Sequence, residues 1–402
     1  MHFDGSAFRA SAKEQPMRNL SDTIARLSAF RGQPFGTAPD GTDDRLSDLA
    51  DFGSNPGGLR ARFHVPRTKG RSLPLVVVLH GCKQSAAGYD AGTGWSELAD
   101  AAGFAVLYPE QMPGNNLNGC FNWFQPADAR REEGEVLSIR QMIDAMAAQH
   151  PIDPSRIFIT GLSAGGAMAS AMLASYPELF AGGAIIAGLP FGVAASVPEA
   201  FDAMRAHGLP DGPALRRLLP DTMPAGGWPT ISVWHGTADQ TVAAGNADAI
   251  IEQWRGVHGV SKQADEESRS GRVTRRTWRD RAGRPVLEQV LIGGMGHGTP
   301  IDDKGPDALG RSAPFILDVG VSSTRQIAAA WGIAAESAAH ESTGARTPAP
   351  EDIVVTDEMP KRPDARPKSA EKASGNGKTG SPSGVSGIRK VIEDALRQAG
   401  LM

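Results

Sequence analysis

From Leu73 onward the chain repeats one pattern: a short unbroken apolar run, a stretch of helical periodicity, then another apolar run. The runs are Pro74–Leu79, Phe104–Tyr108, Arg156–Thr160, Gly183–Ala187, Thr230–Trp234 and Val286–Ile292. Unbroken runs suit strands that are buried on both faces, whereas half-exposed strands alternate. Between them, Val136–Gln149, Ala164–Ser175 and Ala247–Val257 read as helices, each long enough for a crossover between parallel strands. The pattern therefore predicts an α/β fold, a mostly parallel central sheet with helices on both faces. Ahead of it, Leu59, Ala61, Phe63 and Val65 alternate with polar residues and stop at Pro66, as in a half-buried antiparallel strand. Ser322 or Ser323 can cap a last body helix that contains Ile327 and Trp331.

These limits place the catalytic body at residues 58–334. Residues 1–57 then form an N-terminal extension, in which Leu20, Ile24 and Leu27 fall at the spacing of one short amphipathic helix. Past residue 335 the composition turns to Pro, Lys, Glu, Ser and Gly, with too little apolar surface to offset the entropy of ordering. Residues 335–385 are thus expected to be a disordered linker. It leads into residues 386–402, where Ile388, Val391, Ile392, Leu396 and Leu401 could form the apolar face of a C-terminal helix able to meet a granule or a partner helix.

The charge balance of 41 basic against 45 acidic side chains offers no overall field for nucleic acid or an anionic membrane. No stretch approaches the roughly 20 apolar residues of a transmembrane helix. The start, MHFDGSAFRASAKEQPMRNL, lacks the apolar core of a secretory signal, so a cytoplasmic location is the expectation. Two cysteines, Cys82 and Cys120, are too few for a cysteine-based zinc site. The expected partner is a neutral molecule, with no metal or organic cofactor.

The chemistry is legible where the run Arg156–Thr160 ends. Gly161-Leu162-Ser163-Ala164-Gly165 places G-x-S-x-G between a strand and a helix of small residues, the context of a nucleophile elbow. A serine hydroxyl is a poor nucleophile unless it is held exposed on a sharp turn beside a base, and flanking glycines let strand and helix approach around that turn. With such an elbow the acid and then the base follow the serine in the chain, at the ends of later strands. Asp239 follows the strand Thr230–Trp234 directly, whereas Asp221 and Asp248 follow no strong strand. Downstream of it, His258 lies in a polar turn and His340 in the linker. His297 sits in Gly293-Gly294-Met295-Gly296-His297-Gly298, immediately after an apolar strand, and is the expected base. Acyl transfer also needs two N–H groups aimed at the developing oxyanion. Ala164, next to the nucleophile, supplies one. The turn His80-Gly81-Cys82-Lys83-Gln84 after the first run supplies the other, with the N–H of Cys82 as the expected donor.

Taken together, Leu79-His80-Gly81-Cys82-Lys83-Gln84, Cys120-Phe121-Asn122-Trp123-Phe124, Gly161–Gly166, His235-Gly236-Thr237-Ala238-Asp239 and Gly296-His297 resemble the polyhydroxybutyrate depolymerase family of esterases, within the α/β-hydrolase superfamily. The resemblance covers roughly residues 58–334. It implies cofactor-free hydrolysis of 3-hydroxyalkanoate polyester or oligomer esters through an acyl-enzyme, with the HGC segment forming the oxyanion hole. It also implies that Cys82 and Cys120 lie close together near that hole, either as one disulfide in an oxidising compartment or as two buried thiols. A neutral polyester is recognised by apolar burial, so Trp123, and more weakly Trp234, are expected to line a groove beside Ser163. Two features depart from the secreted members of that family. The chain shows no signal sequence and no aromatic-rich binding domain. A feruloyl- or acetylxylan-type carbohydrate esterase is the alternative within enzymes, since fold does not fix substrate. A non-catalytic granule-binding protein is the alternative outside them, disfavoured by the intact Ser163, Asp239 and His297 set.

Overall fold

A computed structural model describes residues 44–67, 71–221, 223–305 and 307–335, all within one compact unit. The N-terminal helix expected around Leu20–Leu27, the linker beyond residue 335 and the C-terminal helix lie outside the described residues.

Strand β3 (Leu73–Leu79) is buried along its whole length. Its side chains divide by parity, as a period of two requires: Leu75, Val77 and Leu79 enter one core, Val76 and Val78 the other. Two-sided burial also marks β4 (Ala105–Glu110), β6 (Gly182–Ile186), β7 (Thr230–Gly236), β10 (Pro285–Ile292) after its first residue, and β5 (Ile152–Leu162) from Ile157 onward. These six run parallel in the order β4-β3-β5-β6-β7-β10. On one side β2 (Arg60–His64) adds antiparallel to β4, and β1 (Ser47–Asp48) to β2. On the other, the hairpin β9 (Val273–Arg279) and β8 (Glu266–Ser270) adds antiparallel to β10, completing ten strands among the described residues.

Helices cover both faces. One core holds the apolar sides of α4 (Gly134–Gln149), α5 (Ala164–Ser175) and α8 (Gly245–His258). Val136, Ile139, Met142, Ile143 and Met146 of α4 supply a stripe at helical spacing. The opposite core holds α1 (Ala86–Thr93), α2 (Trp95–Ala102) and α9 (Ser323–Ala330), with Tyr89, Trp95, Leu98 and Ile327 turned inward. Ser85 caps α1 through its hydroxyl, and Ser322 caps α9 in the same way. Short helices α3 (Pro126–Ala129), α6 (Val197–Met204) and α7 (Gly212–Arg217) lie in connections, and β11 (Thr299–Ile301) pairs with β12 (Ile316–Asp318) after the sheet. No helix among the described residues is long and apolar enough to cross a membrane.

The body begins earlier than residue 58, a correction to the expected boundary. Leu46 and Leu49 are buried in its cores, and Gly57 packs so closely on α4 that a Cβ there would lie 2.5 Å from the Glu135 Cα. A two-residue strand carries no readable alternation, which is why β1 was not foreseen.

Candidate active site

Ser163 stands at the junction of β5 and α5 with φ 57° and ψ −117°, a conformation that costs a non-glycine residue of order 1–3 kcal/mol. Neighbours hold it there: its N–H donates to Ile186 O of β6 at 2.9 Å, and its C=O accepts from Ala167 N at 2.8 Å. The flanking glycines are a packing requirement. A Cβ on Gly161 would sit 2.4 Å from Gly165 O, and one on Gly165 would sit 2.4 Å from His80 O. Strand, helix and the turn after β3 therefore meet around the serine with no room for a side chain.

The loops that carry Asp239 and His297 leave adjacent parallel strands, β7 and β10, in register His235 to Leu291 and Gly236 to Ile292. Main chain clasps the two loops together. Thr237 N donates to Ile292 O and Ala238 N to Met295 O, both at 3.0 Å, while Gly294 N donates to Thr237 Oγ1 at 2.9 Å. Gly236 makes the approach possible, since a Cβ there would meet Met295 O at 2.3 Å. Carried by this clasp, His297 Nδ1 lies 2.7 Å from Asp239 Oδ2 and His297 Nε2 lies 2.9 Å from Ser163 Oγ. The proton on Nδ1 is assigned by its carboxylate acceptor, which leaves Nε2 as the atom able to take the serine proton.

Asp239 is buried, and burial opposes its ionisation. Hydrogen bonds from His235 and His297, the charge of His297 and the Val242 N–H outweigh that and hold its carboxyl below the ordinary carboxylate range. Oδ1 accepts from Thr241 N at 2.8 Å and from Val242 N at 2.9 Å, so the acid is also the residue that closes its own turn. The rejected alternatives are occupied elsewhere: His258 Nε2 faces Pro229 O, and Asp248 accepts from Gln289.

Facing the serine from the other side, the turn after β3 has its amides sorted. Gly81 N donates to Gln84 Oε1 at 2.8 Å, Lys83 N to Asn118 O at 2.8 Å and Gln84 N to Gly81 O at 3.3 Å. The Cys82 N–H is the one amide between Gly81 and Gln84 outside these bonds. Ala164 begins α5, so its N–H has no acceptor within the helix and sits at the positive end of the helix dipole. Cys82 and Cys120 are joined by a disulfide, with Cα atoms 4.3 Å apart.

Beneath this turn lies a buried polar network. His80 Nδ1 donates to Gly81 O at 2.8 Å and Nε2 accepts from Gln111 N at 3.1 Å; burial pushes this imidazole down, to the neutral form those two bonds require. Gln111 Nε2 donates in turn to Glu135 Oε1 at 2.6 Å, and Asn122 donates to the same carboxyl through both its N–H and its Nδ2, each at 2.9 Å. Burial and the Asp128 carboxylate push Glu135 up to about 8, against these donors. None of Gln111, Asn122 and Glu135 was marked as functional in the sequence. Glu135 precedes the apolar stripe of α4 by one residue and looks like an ordinary first-turn acid.

The two tryptophans part ways. Trp123 is half-buried, packs edge-on to Phe124 at 5.6 Å, and touches a small apolar cluster of Ala167, Leu189, Ala203 and Val242. That cluster joins the nucleophile helix, the turn of Asp239 and the connection between β6 and β7. Trp234 corrects the expectation. It is fully buried in the sheet's core, donates Nε1 to Ser232 Oγ at 2.7 Å and lines no groove, because a central strand covered on both faces has no open side.

Comparison with known proteins extends this geometry. The family described as esterase PHB depolymerase matches residues 60–277. Poly(3-hydroxyalkanoate) depolymerase C of Paucimonas lemoignei is 42% identical over 331 residues, 80% of this chain and 78% of the relative. The chain belongs to the esterase PHB depolymerase family. Like other esterases of that family it is a carboxylic ester hydrolase. Acetylxylan esterase A of Aspergillus oryzae is 31% identical over 266 residues, 64% of this chain and 85% of the relative. The solved acetyl xylan esterase from Aspergillus awamori superposes with a TM-score of 0.60 at 22% identity, over 72% of this chain and all but 1% of its own, which shows the α/β-hydrolase fold. The family match ends before His297, so the case for this residue in the PHB depolymerase-family esterase rests on its geometry beside Ser163 and Asp239.

Proposed function

We propose that the protein hydrolyses ester bonds of 3-hydroxyalkanoate oligomers or polyester through an acyl-enzyme. Ser163 Oγ attacks the ester carbonyl while His297 Nε2 takes its proton, and Asp239 stabilises the resulting imidazolium. The tetrahedral oxygen is received by the N–H groups of Cys82 and Ala164, where loss of one such donor costs about 3 kcal/mol. His297 then returns the proton to the leaving alcohol, and water reverses the sequence to free the acid. The observation that carries this reading is the unbroken chain of hydrogen bonds from Asp239 through His297 to Ser163. The similarity to a poly(3-hydroxyalkanoate) depolymerase over four-fifths of the chain supports the choice of acyl group.

A second reading, deacetylation of acetylated xylan, is favoured by the acetylxylan esterase relatives and uses the same chemistry. Turnover of a hydroxybutyrate trimer, amorphous polyhydroxybutyrate, acetylated xylan and a feruloyl sugar, measured side by side, tests the choice. Activity on the two hydroxybutyrate substrates exceeding the sugars by tenfold or more in kcat/KM is the expected result. The reverse ranking would establish the carbohydrate esterase instead. Docking of the chain's C-terminal residues on a polyester granule is part of the proposal for polymer, and loss of granule binding on deleting residues 386–402 is its test.

A further inference from the structure

Asp239 has a second histidine on it. His235, the last residue but one of β7, is fully buried, and its Nε2 lies 2.9 Å from Val242 O and 3.4 Å from Asp239 Oδ2. Both neighbours of Nε2 are acceptors, so the ring proton is there. Nδ1 is buried with no hydrogen-bond partner, so a second proton on the ring would itself be buried without an acceptor. The ring is thus placed to offer its Nε2–H to two acceptors. Its shorter limb ties down the carbonyl of Val242, the residue whose N–H holds Asp239 Oδ1. Its longer limb adds an N–H to Oδ2, the oxygen that faces His297.

The geometry points to His235 as a positioning residue for the catalytic acid, closing the turn Asp239–Val242 so that Oδ2 stays aimed at His297. This inference rests on the reading of Ser163, His297 and Asp239 as a working triad.

The test combines a conservative rescue with a double-mutant cycle on the full chain, using p-nitrophenyl butyrate. Glutamine can place an amide N–H near the position of Nε2; asparagine, of the same chemistry, is too short to reach it, and leucine has no donor. His235→Leu and His235→Asn are expected to lower kcat by about 30- to 100-fold with KM within about twofold, and His235→Gln to recover most of the loss. In an Asp239→Asn background His235→Leu should cost less than about threefold, because the group it serves is already disabled. If His235→Leu fails to fold by circular dichroism, the Gln and Asn pair carries the comparison. Full loss in the Asp239→Asn background, equal activity of the Gln and Asn variants, or an unaffected kcat would each overturn the inference while leaving the triad standing. An Asp239→Asn enzyme of undiminished activity would instead defeat the triad and the role of His235 together.

Discussion

The two sides of Ser163, the proposed nucleophile, are built by different means. On the base side, the loops that carry Asp239 and His297 leave neighbouring strands and are clasped mainly by backbone hydrogen bonds, Thr237 N to Ile292 O and Ala238 N to Met295 O. On the side of the proposed oxyanion donors, the turn at Gly81–Gln84 is braced by side chains and a covalent bond: the adjacent His80, the more distant Gln111, Asn122 and Glu135, and the Cys82–Cys120 disulfide. Apart from the glycine at 236 and the Thr237 hydroxyl, this backbone clasp does not depend on the identity of the side chains it displays. A side-chain brace does, and it can be titrated or reduced. Chemistry and stability should therefore be separable on the first side and coupled on the second.

The largest effects test the first half of that contrast. Ser163→Ala should lower kcat by about 10⁴-fold or more with no loss of thermal stability, and labelling by diisopropyl fluorophosphate should disappear with it. His297→Ala should fall comparably, and Asp239→Asn less, because the aspartate orients and stabilises while the histidine moves the proton. The asparagine retains Oδ1 for the amides of Thr241 and Val242, so its melting temperature should stay within a few degrees of the wild type. A strongly destabilised Asp239→Asn protein would break the contrast.

Next in size is the titration of Glu135. Its carboxyl is pushed up to about 8 in the folded protein, above its unfolded value. Stability from this group is thus fully present below the unfolded value and is lost as pH rises through about 8. Unfolding free energies measured from pH 5 to 9 should decline in the wild type, by an amount on the order of a few kcal/mol, and the decline should flatten in Glu135→Gln. Parallel curves for the two proteins would show that the brace does not titrate.

The disulfide comes third. Opening a bridge between residues 38 apart removes about 3–4 kcal/mol of stability in the chain-entropy model. Cys82→Ser with Cys120→Ser should therefore lower the melting temperature by several degrees and reduce kcat a few-fold, because the Cys82 amide loses its brace. Unchanged stability with two free thiols in the air-exposed wild type would remove the bridge from the brace. The smallest expected effect is Trp123→Ala, with kcat/KM for a hydroxybutyrate trimer falling about tenfold and that for p-nitrophenyl acetate hardly at all. Equal losses on both substrates would make Trp123 part of the scaffold rather than of the substrate groove.

What was legible in advance follows the physics of each region. Buried parallel strands announce themselves as unbroken apolar runs, and β3, β4, β5, β6, β7 and β10 lie where those runs do. β8 does not, since Glu266–Ser270 is exposed along its length and an edge strand of charged residues leaves no apolar signal. Trp234 reads as a weaker candidate for the groove beside Ser163 because large apolar side chains on a buried strand and in a groove are written alike. His235 lies four residues ahead of Asp239, yet whether its ring turns toward that carboxylate depends on how the strand ends.

By itself the sequence determined the α/β alternation, the strained elbow at Ser163 with its obligatory glycines, and the order in which an acid and a histidine follow. These rest on local properties: apolar periodicity, backbone conformation and the absence of a Cβ. Only the tertiary structure decided that Asp239, His297 and Ser163 stand within hydrogen-bond reach, that Cys82 meets Cys120, that Glu135 lies under the oxyanion turn and that Trp234 is core. Each of these depends on strand order and register, which set distances between residues 38 to 134 positions apart and are fixed by the packing of whole elements rather than by any short segment.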